Sequence, residues 1–159
     1  MNFMIKREIV TNSPEETREI GCRLARVLLP PFDVLLIGEL GAGKTELVRG
    51  FLNHFGHKIV RSPSFTVVNS FKTPNYTVHH IDLFRIKDVE EIEVRGILDL
   101  LSEPDSIRFI EWPEIIRELI KSENSIIFNI KVTGERQRLI TLECHSFEIC
   151  NKIFPDEAK

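Results

Sequence analysis

The eight residues Gly38-Glu39-Leu40-Gly41-Ala42-Gly43-Lys44-Thr45 fit the spacing G-x-x-x-x-G-K-[ST] at every fixed position. They constrain the fold more than any other stretch of the chain. A loop of this kind brings successive backbone N–H groups onto phosphate oxygens, and a side chain at the glycine positions would hold the phosphate away. Lys44 reaches the β- and γ-phosphates as a point charge, and the Thr45 hydroxyl is offered to Mg²⁺. The loop also has to join a buried strand to a helix N-terminus, so that unpaired N–H groups and the helix dipole face the anion. Both flanks comply. Residues 33–37 form a short apolar run suited to a buried parallel strand, while Leu47, Val48, Phe51, Leu52 and Phe55 recur at helical spacing until Gly56.

The rest of the chain reads as alternating strands and helices. Ser13-Pro14-Glu15-Glu16 is a capping box with proline in the first helical position, and Ile20, Leu24, Val27 and Leu28 follow on one helical face before Pro30-Pro31. Ile59-Val60 and residues 65–71 and 76–83 are strand-like, the last two joined as a hairpin through the turn residues Lys72-Thr73-Pro74-Asn75. A helical, acidic segment over 88–101 leads to a buried strand at 107–110. Pro113 then starts a helix carrying Ile115, Ile116, Leu119 and Ile120. Alternating residues at 126–132 and 140–144 are late strands around a turn at 133–136. The predicted fold is a single-domain α/β P-loop NTPase, residues 1–154, with a polar tail at 155–159. Its sheet is mixed and mostly parallel, flanked by helices, with antiparallel strands toward the C-terminus.

Composition excludes several functions. A chain of 159 residues with 42 % apolar content supports one core, and a net charge of −3 argues against a phosphate-backbone footprint, so contact with RNA is expected to be indirect. No apolar stretch is long enough to span a membrane, and the first residues lack a signal-peptide pattern, so the expectation is a cytoplasmic protein. Cys22, Cys144 and Cys150 suggest neither a disulfide framework nor a zinc site. Adjacent His79 and His80 in a strand point to opposite faces, which disfavours a shared metal.

A phosphate loop identifies binding and leaves the reaction open. Asp82 ends the apolar run Val78-His79-His80-Ile81, in the manner of a Walker B carboxylate, and Glu111 ends Phe109-Ile110 in the same way. Ligands of open α/β sheets bind at the carboxyl ends of the strands, where both acids emerge. One is suited to a metal and the other to orienting an attacking water. Glu46, at the start of the helix after the loop, suits the dipole but repels a nucleotide. Thr17 is in reach of a base or sugar or is simply a helix-surface residue. Arg85 and Arg136 are candidates for transition-state charge, with surface ion pairing as the ordinary alternative.

Four segments taken together resemble one known family. Gly38 to Thr45, Ser62-Pro63-Ser64-Phe65-Thr66, His80-Ile81-Asp82-Leu83-Phe84-Arg85 and Ile110-Glu111-Trp112-Pro113-Glu114, in that order, look like the bacterial tRNA threonylcarbamoyladenosine biosynthesis ATPases, the TsaE (formerly YjeE) family. The resemblance implies a small Mg-ATP hydrolase that works with the TsaB and TsaD proteins to place threonylcarbamoyl on a tRNA adenosine, TsaD performing the transfer. It implies Gly41, Ala42, Gly43 and Lys44 on the phosphates, Thr45 and Glu111 on Mg²⁺, and Asp82 beside the attacking water, so that Lys44, Asp82 and Glu111 carry catalysis. Trp112 and Glu46 would lie by the nucleotide, and Ser64 or Thr66 in a switch-like strand would sense the γ-phosphate. Glu39, Glu46, Ser64 and Phe84 depart from the residues usual in that family. The alternatives are a small-molecule kinase, for which no arginine-bearing lid is apparent, and a nucleotide-dependent binding switch. A GTPase is disfavoured, since no N-K-x-D segment is present.

Overall fold

The computed structural model describes residues 4–155; the expected polar tail lies outside the described residues from position 156 onward. In chain order the elements are β1 (Ile5–Thr11), α1 (Pro14–Val27), β2 (Phe32–Ile37), α2 (Lys44–His54), β3 (Val68–Lys72), β4 (Thr77–Asp82), α3 (Val89–Val94), α4 (Ile97–Leu101), β5 (Ser106–Glu111), two 3-10 segments (Pro113–Leu119 and Ser122–Asn124), β6 (Ser125–Val132), β7 (Arg138–Cys144) and α5 (Phe147–Ile153).

One seven-stranded sheet has the order β1-β7-β6-β2-β5-β4-β3. Its four central strands, β6, β2, β5 and β4, are parallel, and the outer pairs β1–β7, β7–β6 and β3–β4 are antiparallel. This is the expected mixed α/β architecture. Alternation along β2 feeds two cores: Val34 and Leu36 pack with Leu24, Phe51, Phe109 and Phe128 beneath α1, α2 and α5, while Leu35 joins Ile81, Ile92, Ile110 and Ile116 on the other face. Burial on both faces suits a central parallel strand.

The start of α1 follows its sequence signal with a shift of one residue. Ser13 Oγ accepts from the Glu16 N–H at 3.2 Å, but the Glu16 carboxylate accepts from the N–H of Asn12 at 2.8 Å, one position before the cap. Two elements were not foreseen, β1 and α5. Ile59-Val60 forms no strand, and β3 begins at Val68 because residues 65–67 belong to a turn in which Val67 has φ +69°. The acidic segment 88–101 is divided into α3 and α4 by Gly96 at φ +73°, and the helix begun by Pro113 is 3-10 rather than α. Cys22, Cys144 and Cys150 are free thiols, as expected, and burial pushes Cys150 up to about 12.

Candidate nucleotide-binding site

The register of the parallel strands assembles the site. Leu36 of β2 lies opposite Glu111 of β5, and Glu111 lies opposite Asp82 of β4, so both acids and the loop after Ile37 emerge at the same carboxyl edge. The chain closes that edge with two further backbone bonds: the Leu83 N–H donates to the Glu111 carbonyl at 3.1 Å and the Asp82 N–H to the Val67 carbonyl at 2.8 Å. Gly43 caps α2 at φ +109°, a conformation that only glycine adopts easily, and no side chain caps the helix. The first-turn amides of α2 are thereby left to an anion.

A cleft of about 510 Å³ opens above this edge, and Gly41, Gly43, Lys44, Thr45, Asp82 and Glu111 all line it. Glu46, Ser62, Ser64 and Arg85 line it as well. Lys44 is only 4 % exposed. Its ammonium donates to the Gly38 carbonyl at 2.7 Å, stands 3.8 Å from Glu111 Oε1 and sits 4.1 Å from the centre of the Trp112 ring. Burial pushes the Lys44 ammonium down from its ordinary range, against the opposing pull of Glu111, Asp82 and Glu114. Asp82 is pushed up, chiefly by burial and further by the Glu111 charge, while the Phe84 N–H that it accepts at 2.9 Å and the nearby Lys44 oppose that shift.

Other expected residues fall less centrally. Trp112, at φ +56°, does not itself line the cleft; it reaches it through the Lys44 ammonium over its ring and packs on Phe84 with ring centres 4.8 Å apart. Ala42 and Thr17 border a side pocket of about 70 Å³ that adjoins the loop, and Thr17 Oγ1 is paired with Thr11 Oγ1 at 3.0 Å. The Thr66 hydroxyl donates to Asn69 Oδ1 at 3.0 Å and is not part of the cleft wall. Glu46 is held by two guanidinium groups, Arg18 at 2.6 Å and Arg49 at 2.8 Å, so the repulsion expected of its charge is largely compensated. Arg136 pairs with Glu15 at the surface, whereas Arg85 lies over the Phe65 ring. His79 bonds Ser70 and Glu103, and His80 bonds Glu111, each on its own face.

Arg138 was not singled out by its sequence. It lines the cleft, donates from Nε to the Ala42 carbonyl at 2.8 Å, and binds the Gly134 carbonyl at 3.1 Å from Nη1, tying the loop to the β6–β7 turn. The usable signal was topological: a strand parallel to β2 on its other side must bring its following turn to the loop's end of the sheet.

A second hollow of about 550 Å³ lies at the opposite edge of the sheet. There Arg108 is bonded to Asp33 at 2.7 Å and to the carbonyls of Leu101, Glu103 and Ser106, so its charge is already engaged. Among the described residues no cluster of three or more His, Cys, Asp and Glu could hold a metal unaided. Thr45, Asp82 and Glu111 offer oxygen donors on a phosphate-type cleft, which suits a hard cation that keeps waters and takes phosphate oxygens.

A mixed sheet with this loop between a central parallel strand and a helix defines a P-loop α/β protein. Residues 11–140 match the family described as "Threonylcarbamoyl adenosine biosynthesis protein TsaE". The chain is 37 % identical over 142 residues to a tRNA threonylcarbamoyladenosine biosynthesis protein TsaE of Rickettsia felis, covering 88 % of this chain and 81 % of that one. It is 36 % identical over 133 residues to the protein so named in Bacillus subtilis, covering 82 % and 81 %. The crystal structure of B. subtilis YdiB superposes with a TM-score of 0.76 at 25 % identity, over 96 % of this chain and 97 % of that one. The chain belongs to the TsaE family. No helix among the described residues is long and apolar enough to cross a membrane.

Proposed function

We propose that the cleft binds Mg-ATP and hydrolyses it to support the TsaB–TsaD transferase in tRNA threonylcarbamoyladenosine synthesis. The observation that carries this reading is the convergence of Lys44, Thr45, Asp82 and Glu111 on one cleft beside the uncapped N-terminus of α2. Lys44 donates to the Gly38 carbonyl and stands beside Glu111. A polyphosphate would offer it stronger acceptors at the same place.

Hydrolysis requires in-line attack of water on the γ-phosphate, and catalysis of this reaction is largely positioning and charge stabilisation. Lys44 and the amides of residues 41–45 supply fixed positive charge to the phosphate oxygens. Asp82, at the end of β4 on the cleft wall, would orient the attacking water. The Thr45 hydroxyl and the Glu111 carboxylate would hold magnesium. When bound, the ion would neutralise charge on the β- and γ-oxygens. The two guanidinium groups that line the cleft are already engaged, Arg85 over the Phe65 ring and Arg138 on the Ala42 carbonyl, so turnover by the chain alone is expected to be slow until a partner completes the site.

The test is reconstituted tRNA modification with TsaB and TsaD. Lys44→Ala and Glu111→Ala are each expected to abolish the ATP-dependent stimulation that the unmodified chain provides. Full stimulation by either variant would overturn the proposal.

A further inference from the structure

His80 lies outside the machinery described so far. It is fully buried, and its ring makes a single side-chain contact of note: Nε2 donates to Glu111 Oε2 at 2.6 Å. The other nitrogen, Nδ1, is buried with no hydrogen-bond partner among the described residues. An imidazole sealed in this way costs the fold more than a leucine or phenylalanine would, because one polar atom loses water and gains nothing. Core filling alone does not explain it.

The geometry points to His80 as a positioning residue for Glu111, an inference that rests on the Mg-ATP reading above. Glu111 has two carboxylate oxygens with different surroundings. Oε2 is fixed by His80, and Oε1 faces the cleft 3.8 Å from Lys44. A glutamate side chain has three rotatable bonds, and without an anchor its carboxylate could fold onto Lys44 with both oxygens. The His80 bond reserves one oxygen for the protein and leaves the other for a cation. His80 is opposite Phe109 in the β4–β5 ladder, two positions before the Asp82–Glu111 pair, so it reaches Glu111 from beneath without lining the cleft. Its role is orientation.

Two measurements test this. In the free protein, without nucleotide or metal, proton NMR should show a strongly downfield imidazole N–H from the short bond, and Glu111→Gln or His80→Gln should remove or displace it. Calorimetric titration of a non-hydrolysable ATP analogue, in EDTA and then across a range of Mg²⁺ concentrations, reads the consequence. For His80→Leu, affinity in EDTA should fall only as far as a tighter Glu111–Lys44 pair competes with phosphate, whereas the Mg²⁺ concentration at half effect should rise by about a further 10- to 100-fold, the usual loss when a ligand's supporting hydrogen bond is removed. His80→Gln, whose amide donates from a similar reach, should recover most of that loss. Should His80→Leu not fold, His80→Asn takes its place, being polar but too short to reach Glu111. Unchanged Mg²⁺ dependence in a folded His80→Leu or His80→Asn protein would overturn the inference, as would an equal loss in His80→Gln. Failure of the unmodified chain to bind the analogue at all would instead overturn the reading beneath it.

Discussion

Asp82 sits 5 % exposed at the end of β4, and burial raises its carboxyl above the ordinary aspartate range. The direction of that shift fixes its effect on stability. A carboxyl whose folded pKa exceeds its unfolded pKa favours the fold when protonated. The contribution is fully present below the unfolded value, near 3.8, and is lost as pH rises through the folded value. At neutral pH the charged group therefore weakens the nucleotide-free fold. Asp82→Asn keeps the shape and the oxygen that accepts from Phe84, and it removes the buried charge. Without nucleotide this variant should melt at a higher temperature than the unmodified chain at pH 7, with the difference closing as pH falls toward 4, while ATP-dependent stimulation is lost. Circular dichroism melts across that range give the answer, and a variant that melts lower at pH 7 would show that Asp82 pays its way structurally. At this scale the sequence was informative wherever a residue type and a strand end coincided, as at Lys44, Asp82 and Glu111. It was silent on Arg138, which acts through carbonyl oxygens that no side-chain pattern encodes, and on His80, whose partner lies on another strand.

Among the elements, the crossing of α1 and α2 is fixed by two glycines. A Cβ added at Gly50 would fall 1.9 Å from the Arg18 carbonyl oxygen, and one at Gly21 would fall 2.0 Å from that of Leu47. Both obstacles are backbone, which cannot swing aside as a side chain does. Gly50→Ala gains about 1 kcal/mol of helix propensity, but it forces apart the helices that aim the phosphate loop. Overpacking of this kind costs about 1–3 kcal/mol, and contacts this short put the variant at the upper end. A urea titration should show a lower midpoint at unchanged slope; an unaltered or raised midpoint would mean that the two helices slide freely.

The two missed elements share a cause. In β1 the inward positions are Ile5, Arg7, Ile9 and Thr11, and the arginine breaks the alternation that marks a strand. Arg7 lies 5.9 Å from the centre of the Phe147 ring of α5, a helix of seven residues that is too short for its period to stand out. Each element is legible only once the other is in place. By contrast β2, the loop and α2 declare themselves locally, through an apolar run, fixed glycines and helical spacing, which is why the fold class could be read before the edges of the sheet.

Across the whole molecule, the cleft is walled by residues as far apart as Pro14 and Arg138, with segments 40–46, 62–64, 82–85 and Glu111 between them. Those segments come together only in the folded state, so a ligand of the cleft binds the fold and not the unfolded chain. Such binding stabilises by RT ln(1 + [L]/Kd), about 2.7 kcal/mol at a hundredfold excess over Kd. For a domain of this size each kcal/mol moves the midpoint by about 2–4 °C, which puts the expected rise with saturating Mg-ATP at roughly 5–10 °C. Trp112 is the chain's single tryptophan and carries the Lys44 ammonium 4.1 Å from its ring centre. Phosphate that draws Lys44 forward must alter the field on the indole, so its emission should change over the same concentration range as the melting temperature rises. Lys44→Ala should lose both responses together, since one side chain links the phosphates to the indole. A rise in melting temperature with no change in emission would place the nucleotide away from Lys44, and the absence of both in the unmodified chain would remove Mg-ATP from the cleft.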